Sequence, residues 1–243
     1  MISFRARLIH AEHCAATRVR ILRFALPEGD TVPAHQPGQY ALLEFPGFSP
    51  RPYSIANVPN GHLLEFHIRI SHSGASAYAN KTLKIDDVIT IYGFGGNCLF
   101  DSDCRSPILL VAGGTGLAPM MAIAETALSA DPQRMIALYH GGRHKEDLYA
   151  DSFLRDLANK FSAFSYYPVL SDEKHDQTLS GLVGDIALGH CCDLDTIRIY
   201  AAGPVEMLRR LHSLSEERGI PPERIHSDLQ EFDPQPLLSE ALR

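Results

Sequence analysis

Two short stretches of the chain carry residue types that could do chemistry together. In the first, Val111-Ala112-Gly113-Gly114-Thr115-Gly116-Leu117-Ala118-Pro119, glycines lie between an apolar run and a helical pattern. Glycines there let the backbone approach a phosphate closely. The helix start then presents unpaired N–H groups and a partial positive charge. Thr115 adds a hydroxyl, and Pro119 falls in the first turn, where its missing N–H costs little. The spacing is not G-x-G-x-x-G, so the usual dehydrogenase fingerprint does not apply. The second stretch is Arg51-Pro52-Tyr53-Ser54. Arg offers a planar fork to a phosphate, Tyr an aromatic face and Ser a hydroxyl donor. In a strand, Arg51 and Tyr53 share one face while Pro52 and Ser54 share the other. Taken alone, each stretch also fits a plain structural role, as a tight turn or an ordinary strand.

Further strand ends add weight to the first stretch. Tyr200-Ala201-Ala202-Gly203-Pro204, His140-Gly141-Gly142-Arg143 and Leu170-Ser171-Asp172 each close an apolar run with small or polar residues. In an open parallel sheet, ligands sit beyond the carboxyl ends of the strands. Four such ends on one rim point to a nucleotide site.

Two kinds of element must position these groups. In the first hundred residues, alternating segments at 17–26, 39–45, 51–55, 63–70 and 88–92 are broken by Pro46-Gly47, Pro59-Asn60-Gly61 and the glycines at 93–96. That punctuation predicts an antiparallel β-barrel, with a short helix over 75–83. After residue 107 the period changes. Apolar runs at 108–112, 135–139, 164–170 and 197–201 alternate with helical patterns at 117–128, 148–160 and 205–218. Such alternation predicts an α/β parallel sheet with helices on both faces. The boundary falls near 101–106, giving domains 1–102 and 103–243.

The chain has 243 residues, 45% hydrophobic and 21% charged, which excludes wholesale disorder. At about 150 residues per domain it holds one large domain or two small ones. Lys and Arg number 22 against 29 Asp and Glu, a formal charge of −7. An acidic chain without a long basic run argues against nucleic-acid binding. No run approaches the roughly 18 apolar residues of a spanning helix, and Arg5, Arg7, His10 and Glu12 interrupt the start, so neither membrane insertion nor a signal peptide is expected. Five cysteines include no C-x-x-C, which removes the usual zinc spacings and makes a reducing, cytoplasmic setting the simplest expectation.

Arg-x-Tyr-Ser in a β domain, followed by Gly-Gly-Thr-Gly-x-Ala-Pro and then Gly-Pro, resembles the ferredoxin–NADP reductase superfamily, in its oxygenase-reductase and NAD(P)H:flavin oxidoreductase branch. The similarity runs in order from about Ala6 to Phe232. It implies a six-stranded flavin-binding barrel followed by a nicotinamide-dinucleotide domain. By that resemblance Arg51 meets the phosphates of FAD, Tyr53 lies against the isoalloxazine ring, and the Ser54 hydroxyl sits near its N5 atom. His67, Ile68 and Arg69 match the strand along the ribityl and phosphate side. Gly74, Ala75 and Ser76 resemble the turn that holds the pyrophosphate, which points to FAD rather than free flavin. Gly114, Thr115 and Gly116 match the dinucleotide's pyrophosphate turn, and Gly203 and Pro204 the turn flanking the nicotinamide. Ala202 stands where many relatives carry Cys, so no thiol is positioned there. Gly93-Phe94-Gly95-Gly96 matches G-P-x-G with Phe94 in place of Pro, and Cys98, just after it, falls near the flavin. At the C-terminus Gln230 replaces one aromatic of the family ending and Phe232 keeps the other, to cover the flavin's far face. Residues 233–243 run past the pattern.

The resemblance implies hydride transfer from nicotinamide to flavin, with Tyr53 and Ser54 at the reacting edge. Asp172 and Glu173 stand where NADPH-dependent relatives carry Ser-Arg, which favours NADH over NADPH, although Arg143 and Lys174 are close in sequence. The cysteines cannot supply a plant-type C-x4-C-x2-C cluster. The expected acceptor is therefore separate: a ferredoxin, an oxygenase component or free flavin. Rival readings are weaker. No G-x-S-x-G elbow supports a hydrolase. Among twelve His, pairs such as His10 and His13, or His62 and His67, arise by chance, so no metal site is expected. A non-catalytic flavin- or nucleotide-binding subunit is the remaining alternative, although it need not keep both sites.

Overall fold

From residue 3 to residue 95 the chain follows the two-residue period of strands. β1 (Ser3–His13), β2 (Val19–Ala25), β3 (Tyr40–Glu44), β4 (Arg51–Ser54), β5 (Leu63–Arg69) and β6 (Val88–Gly95) form an antiparallel sheet in the order β4-β3-β6-β1-β2-β5. The computed structural model describes residues 3–14, 17–191 and 194–229. The sheet closes where Ile55 bridges Phe66 and the Ala56 N–H donates to the Glu65 carbonyl at 2.9 Å. Closure removes free sheet edges. Leu8, Leu22, Phe24, Leu43, Phe45, Phe66 and Ile91 fill the interior, none more than 1% exposed. Each such burial contributes about 1.5–3 kcal/mol, which makes the barrel a firm base for β4 and β5.

Sequence alternation named five strands here; the structure adds β1. Its Ala6 and Leu8 point inward, but a bulge between Leu8 and His10 breaks the alternation that would have marked it. The expected short helix is α1 (Gly74–Lys81). The buried Arg20 guanidinium donates to the carbonyls of Ala79, Asn80 and Leu83 at 2.5, 3.2 and 3.2 Å. A cation there complements the C-terminal end of the helix dipole and pins α1 to β2.

Between Gly95 and Ile108 the chain passes to a second sheet. β7 (Ile108–Gly113), β8 (Ile136–Gly142), β9 (Phe164–Leu170), β10 (Leu179–Ser180), β11 (Arg198–Ala202) and β12 (Ile225–Ser227) are all parallel, in the order β10-β9-β8-β7-β11-β12. α2 (Leu117–Ala130) and α3 (Asp151–Lys160) cover one face, and α4 (Val183–His190) and α5 (Val205–Glu217) the other. β7 is apolar throughout because it serves both layers: Leu110 packs toward α2, and Leu109 and Val111 toward α4 and α5. α2 is buried on nearly all sides, and Val19 of the barrel belongs to its cluster.

The antiparallel six-stranded and parallel six-stranded sheets match the fold class expected from the sequence. The misses are local. α4 escaped notice because it is eight residues long with Gly184 and Gly189 within it. The helical pattern expected from 148 begins at Asp151, since Leu148, Tyr149 and Ala150 are buried ahead of it. Among the described residues, no helix is long and apolar enough to cross a membrane.

Candidate functional site

The carboxyl ends of β7, β8, β9 and β11 open toward the barrel wall formed by β4 and β5. Between them lies one cleft of about 940 Å3, within the range of cofactor sites. Pro52, Tyr53, Ser54, His67 and Arg69 line its barrel side, and Gly113, Gly114, Thr115, Gly116, Gly203 and Pro204 its sheet side. The two stretches that opened the sequence reading thus face each other.

On the barrel side the groups are side chains. The Tyr53 ring meets Phe45 edge-on, with centroids 6.0 Å apart, and its hydroxyl lies 3.3 Å from the Ser76 hydroxyl. Burial pushes the Tyr53 phenol up, partly opposed by Ser76 and the charge of Arg51. The phenol therefore stays protonated at neutral pH. The Ser54 hydroxyl has no hydrogen-bond partner among the described residues, so its donor is available to a ligand. Arg51 is exposed at the start of β4, outside the cleft lining. Gly74, Ala75 and Ser76 form the first turn of α1 behind Tyr53 rather than lining the cleft. Along β5, His67 and Arg69 face the cleft, whereas alternation turns the Ile68 side chain into the barrel core at 1% exposure.

On the sheet side, where β7 and β11 end, the groups are backbone. A turn of 3-10 helix, Gly114–Gly116, intervenes between β7 and α2. Gly114 has φ +55°, with open space where a Cβ would stand. A Cβ on Gly116 would run into the Ala202 carbonyl, so only glycine allows the two strand ends to come this close. The fully buried His140, at the end of β8, donates from Nε2 to the Gly114 carbonyl at 3.1 Å. Burial lowers its pKa to about 4 against the opposing Gly114 bond, so the ring is neutral. An open glycine cradle at a helix start and an unpartnered hydroxyl across the cleft fit a dinucleotide and a flavin.

At the far end of the cleft the sequence reading needs correction. Asp172 lies outside the lining; its carboxylate accepts the Ser171 hydroxyl at 2.5 Å and its N–H donates to the Arg143 carbonyl. Glu173 is taken by the Lys145 N–H at 2.6 Å. Ser171 and Arg143 line the cleft instead. Arg210 is held bidentately by Asp185 at 2.6 and 2.5 Å and Arg209 by Glu206, while the Arg143 guanidinium has no acidic partner among the described residues. Cys98 is likewise not in the cleft: it is fully buried between the two sheets, with its thiol donating to the carbonyls of Ala201 and His226. Phe232 lies outside the described residues.

Asp228 is among several lining residues that the sequence left unassigned. Just past β12, it accepts the Asn97 N–H at 2.7 Å across the junction of the two sheets. Burial raises its pKa, with the N–H groups of Asn97 and Cys98 pulling it back. Its place within the family-like ending from Ser227 to Phe232 was the signal the sequence offered.

Comparison with known proteins agrees with this geometry. Residues 110–213 match the oxidoreductase NAD-binding domain family. The chain is 32% identical over 194 residues to the ferredoxin–NAD(P)+ reductase component of a naphthalene 1,2-dioxygenase system from Pseudomonas putida, covering 79% of this chain and 59% of that protein. It is 33% identical over 178 residues to a probable flavin reductase of Photobacterium leiognathi, covering 71% of this chain and 76% of the relative. The crystal structure of an Amycolatopsis cytochrome P450 reductase superposes with a TM-score of 0.86 at 29% identity, over 93% of this chain and 69% of that one. The chain thus spans less than two thirds of the length of the oxygenase reductase component it matches.

Proposed function

The chain belongs to the ferredoxin–NADP reductase superfamily, in its oxygenase-reductase and flavin-reductase branch, and from that premise we propose that it is an NAD(P)H-dependent flavoprotein reductase. The observation that carries the reading is the single cleft in which Tyr53 and Ser54 face the glycine turn and Gly203. In this proposal residues 1–102 hold FAD and residues 103–243 the nicotinamide dinucleotide. Bound flavin supplies acceptance of a hydride from the nicotinamide and release of electrons one at a time.

The protein's part is binding, orientation and exclusion of water. Arg69 in the cleft lining, with Arg51 and the first turn of α1 at Gly74, Ala75 and Ser76 outside it, would present cations and N–H groups to the flavin's phosphates. Tyr53, braced by Phe45 and Ser76, offers a fixed aromatic face. Ser54 donates its hydroxyl at the reacting edge, where positioning supplies much of the rate. The N–H groups around Gly114, Thr115 and Gly116 take the dinucleotide's pyrophosphate, and Gly203 and Pro204 leave room for the nicotinamide. NADH and NADPH both remain donors in this proposal, because Arg143 rather than Asp172 borders the cleft. The acceptor is a separate ferredoxin, an oxygenase component or free flavin, the partners that named relatives suggest.

The test is the visible spectrum of the purified protein with FAD, before and after anaerobic addition of NADH or NADPH. Flavin bands that bleach with either nucleotide support the reading. Flavin bands that neither bleaches would contradict it in favour of a non-catalytic flavin-binding subunit. A protein that takes up no flavin, and does not reduce added flavin, would contradict it altogether.

A further inference from the structure

A buried bond joins the two halves of the molecule at the edge of the cleft, through His67 of its barrel side. His67 projects from β5 toward the second sheet, and its side chain is 1% exposed. Its Nε2 donates to the Glu65 carboxylate at 2.9 Å, and Glu65 is held in turn by Arg23 at 2.5 Å. A carboxylate only accepts, so Nε2 carries a proton and Nδ1 faces the second half of the molecule. The Tyr149 hydroxyl, kept protonated by burial, shares a hydrogen bond with it at 2.7 Å. Tyr149 belongs to the buried segment just ahead of α3, in the second half of the molecule.

The contact continues to the glycine turn. Tyr149 meets the His140 ring edge-on at 5.7 Å, as it does the His67 ring at 5.3 Å. His140 donates to the Gly114 carbonyl at 3.1 Å, and its other ring nitrogen has no partner. His67, Tyr149 and His140 therefore form one buried path from the barrel wall to the Gly114 carbonyl of the nucleotide turn. The other contacts across this side are less directional. Val19 against the α2 cluster is apolar packing, and the Arg18–Glu146 pair at 3.6 Å is solvent-exposed and weak.

The geometry points to His67 and Tyr149 as positioning residues: their hydrogen bond clasps the two halves so that the glycine turn meets Tyr53 and Ser54 at a set distance, with His140 passing the constraint to Gly114. This rests on the reductase reading, because a set distance matters most where two rings must meet. A misplacement of about 1 Å costs up to about 100-fold in such a step.

Tyr149→Phe removes the hydroxyl and keeps the ring. With FAD bound, it should retain the flavin spectrum and melt close to the unaltered chain. Anaerobic flavin reduction at saturating nucleotide should slow about tenfold, with KM changed less than about threefold. In nucleotide-free protein, amide exchange at Gly114, Thr115 and Gly116 should rise about tenfold. His67→Gln breaks the same bond from the other side and serves if Tyr149→Phe folds poorly. His140→Gln, which keeps an N–H of similar reach, should recover most of the loss seen in His140→Leu. Folded Tyr149→Phe or His67→Gln protein with unchanged exchange and reduction rate would overturn the clasp. So would a rate loss accounted for by weaker flavin binding. If the unaltered, flavin-loaded chain is reduced by neither nucleotide, the reductase reading fails separately, and the exchange comparison still decides the clasp.

Discussion

On the barrel wall, the groups that face the cleft are side chains, Tyr53 and Ser54 at the end of β4 and Arg69 at the end of β5. On the sheet wall they are backbone, at Gly114, Thr115, Gly116 and Gly203, set by how closely β7 and β11 end beside each other. The difference teaches how each wall should fail. A side-chain wall is weakened by deleting an atom. A backbone wall is blocked by adding one.

The largest effect should therefore come from a single added methyl. Gly116→Ala drives a Cβ into the Ala202 carbonyl, so NADH-dependent flavin reduction should fall about 100-fold or more while the flavin spectrum survives. Comparable loss of bound flavin in this variant would break the separation between the walls.

The seam between the walls should show in the pH dependence of stability. Burial alone would raise the Glu65 carboxyl, but the bonds from His67 and Arg23 outweigh it and bring it down to about 2. A carboxyl lowered in the folded state stabilises the protein above its unfolded pKa of about 4.3, and that contribution fades as pH falls toward the folded value. Up to about 3 kcal/mol should be lost between about pH 4 and pH 2. Glu65→Gln should flatten that part of the denaturation curve. An unchanged curve would remove Glu65 from the seam.

Deleting one atom on the barrel wall should do less. Ser54→Ala leaves the fold intact and should slow reduction about tenfold, with little change in flavin affinity. The smallest effect is expected at the far end of the cleft. Arg143→Ala should lower kcat/KM for NADPH about fivefold and for NADH less than about twofold, since an exposed charge is screened. Equal losses would show that Arg143 does not face the adenosine ribose.

The walls also differ in how they could be read. Tyr53, Ser54 and the glycines after Val111 are contiguous in sequence, so their residue types and spacing announced them. The two sheets were legible because period two and continuous apolar runs leave clear patterns, except where a bulge interrupts β1. The seam left no such mark. His67 and Tyr149 are 82 positions apart, and Asn97 and Asp228 131 apart, so only the fold brings them together. Asp172 shows the opposite error. Its charge was plain in the sequence, but its orientation is decided by the neighbouring Ser171 hydroxyl and the backbone of Arg143.

The central claim is that one cleft brings a flavin on the barrel wall against a nicotinamide on the sheet wall. The most direct measurement is anaerobic rapid mixing of the FAD-loaded protein with NADH, and with NADH deuterated at the transferred position of nicotinamide C4. The account predicts bleaching of the flavin band that slows on deuteration, because the C–H bond breaks in the cleft. Bound flavin that neither NADH nor NADPH bleaches would contradict it.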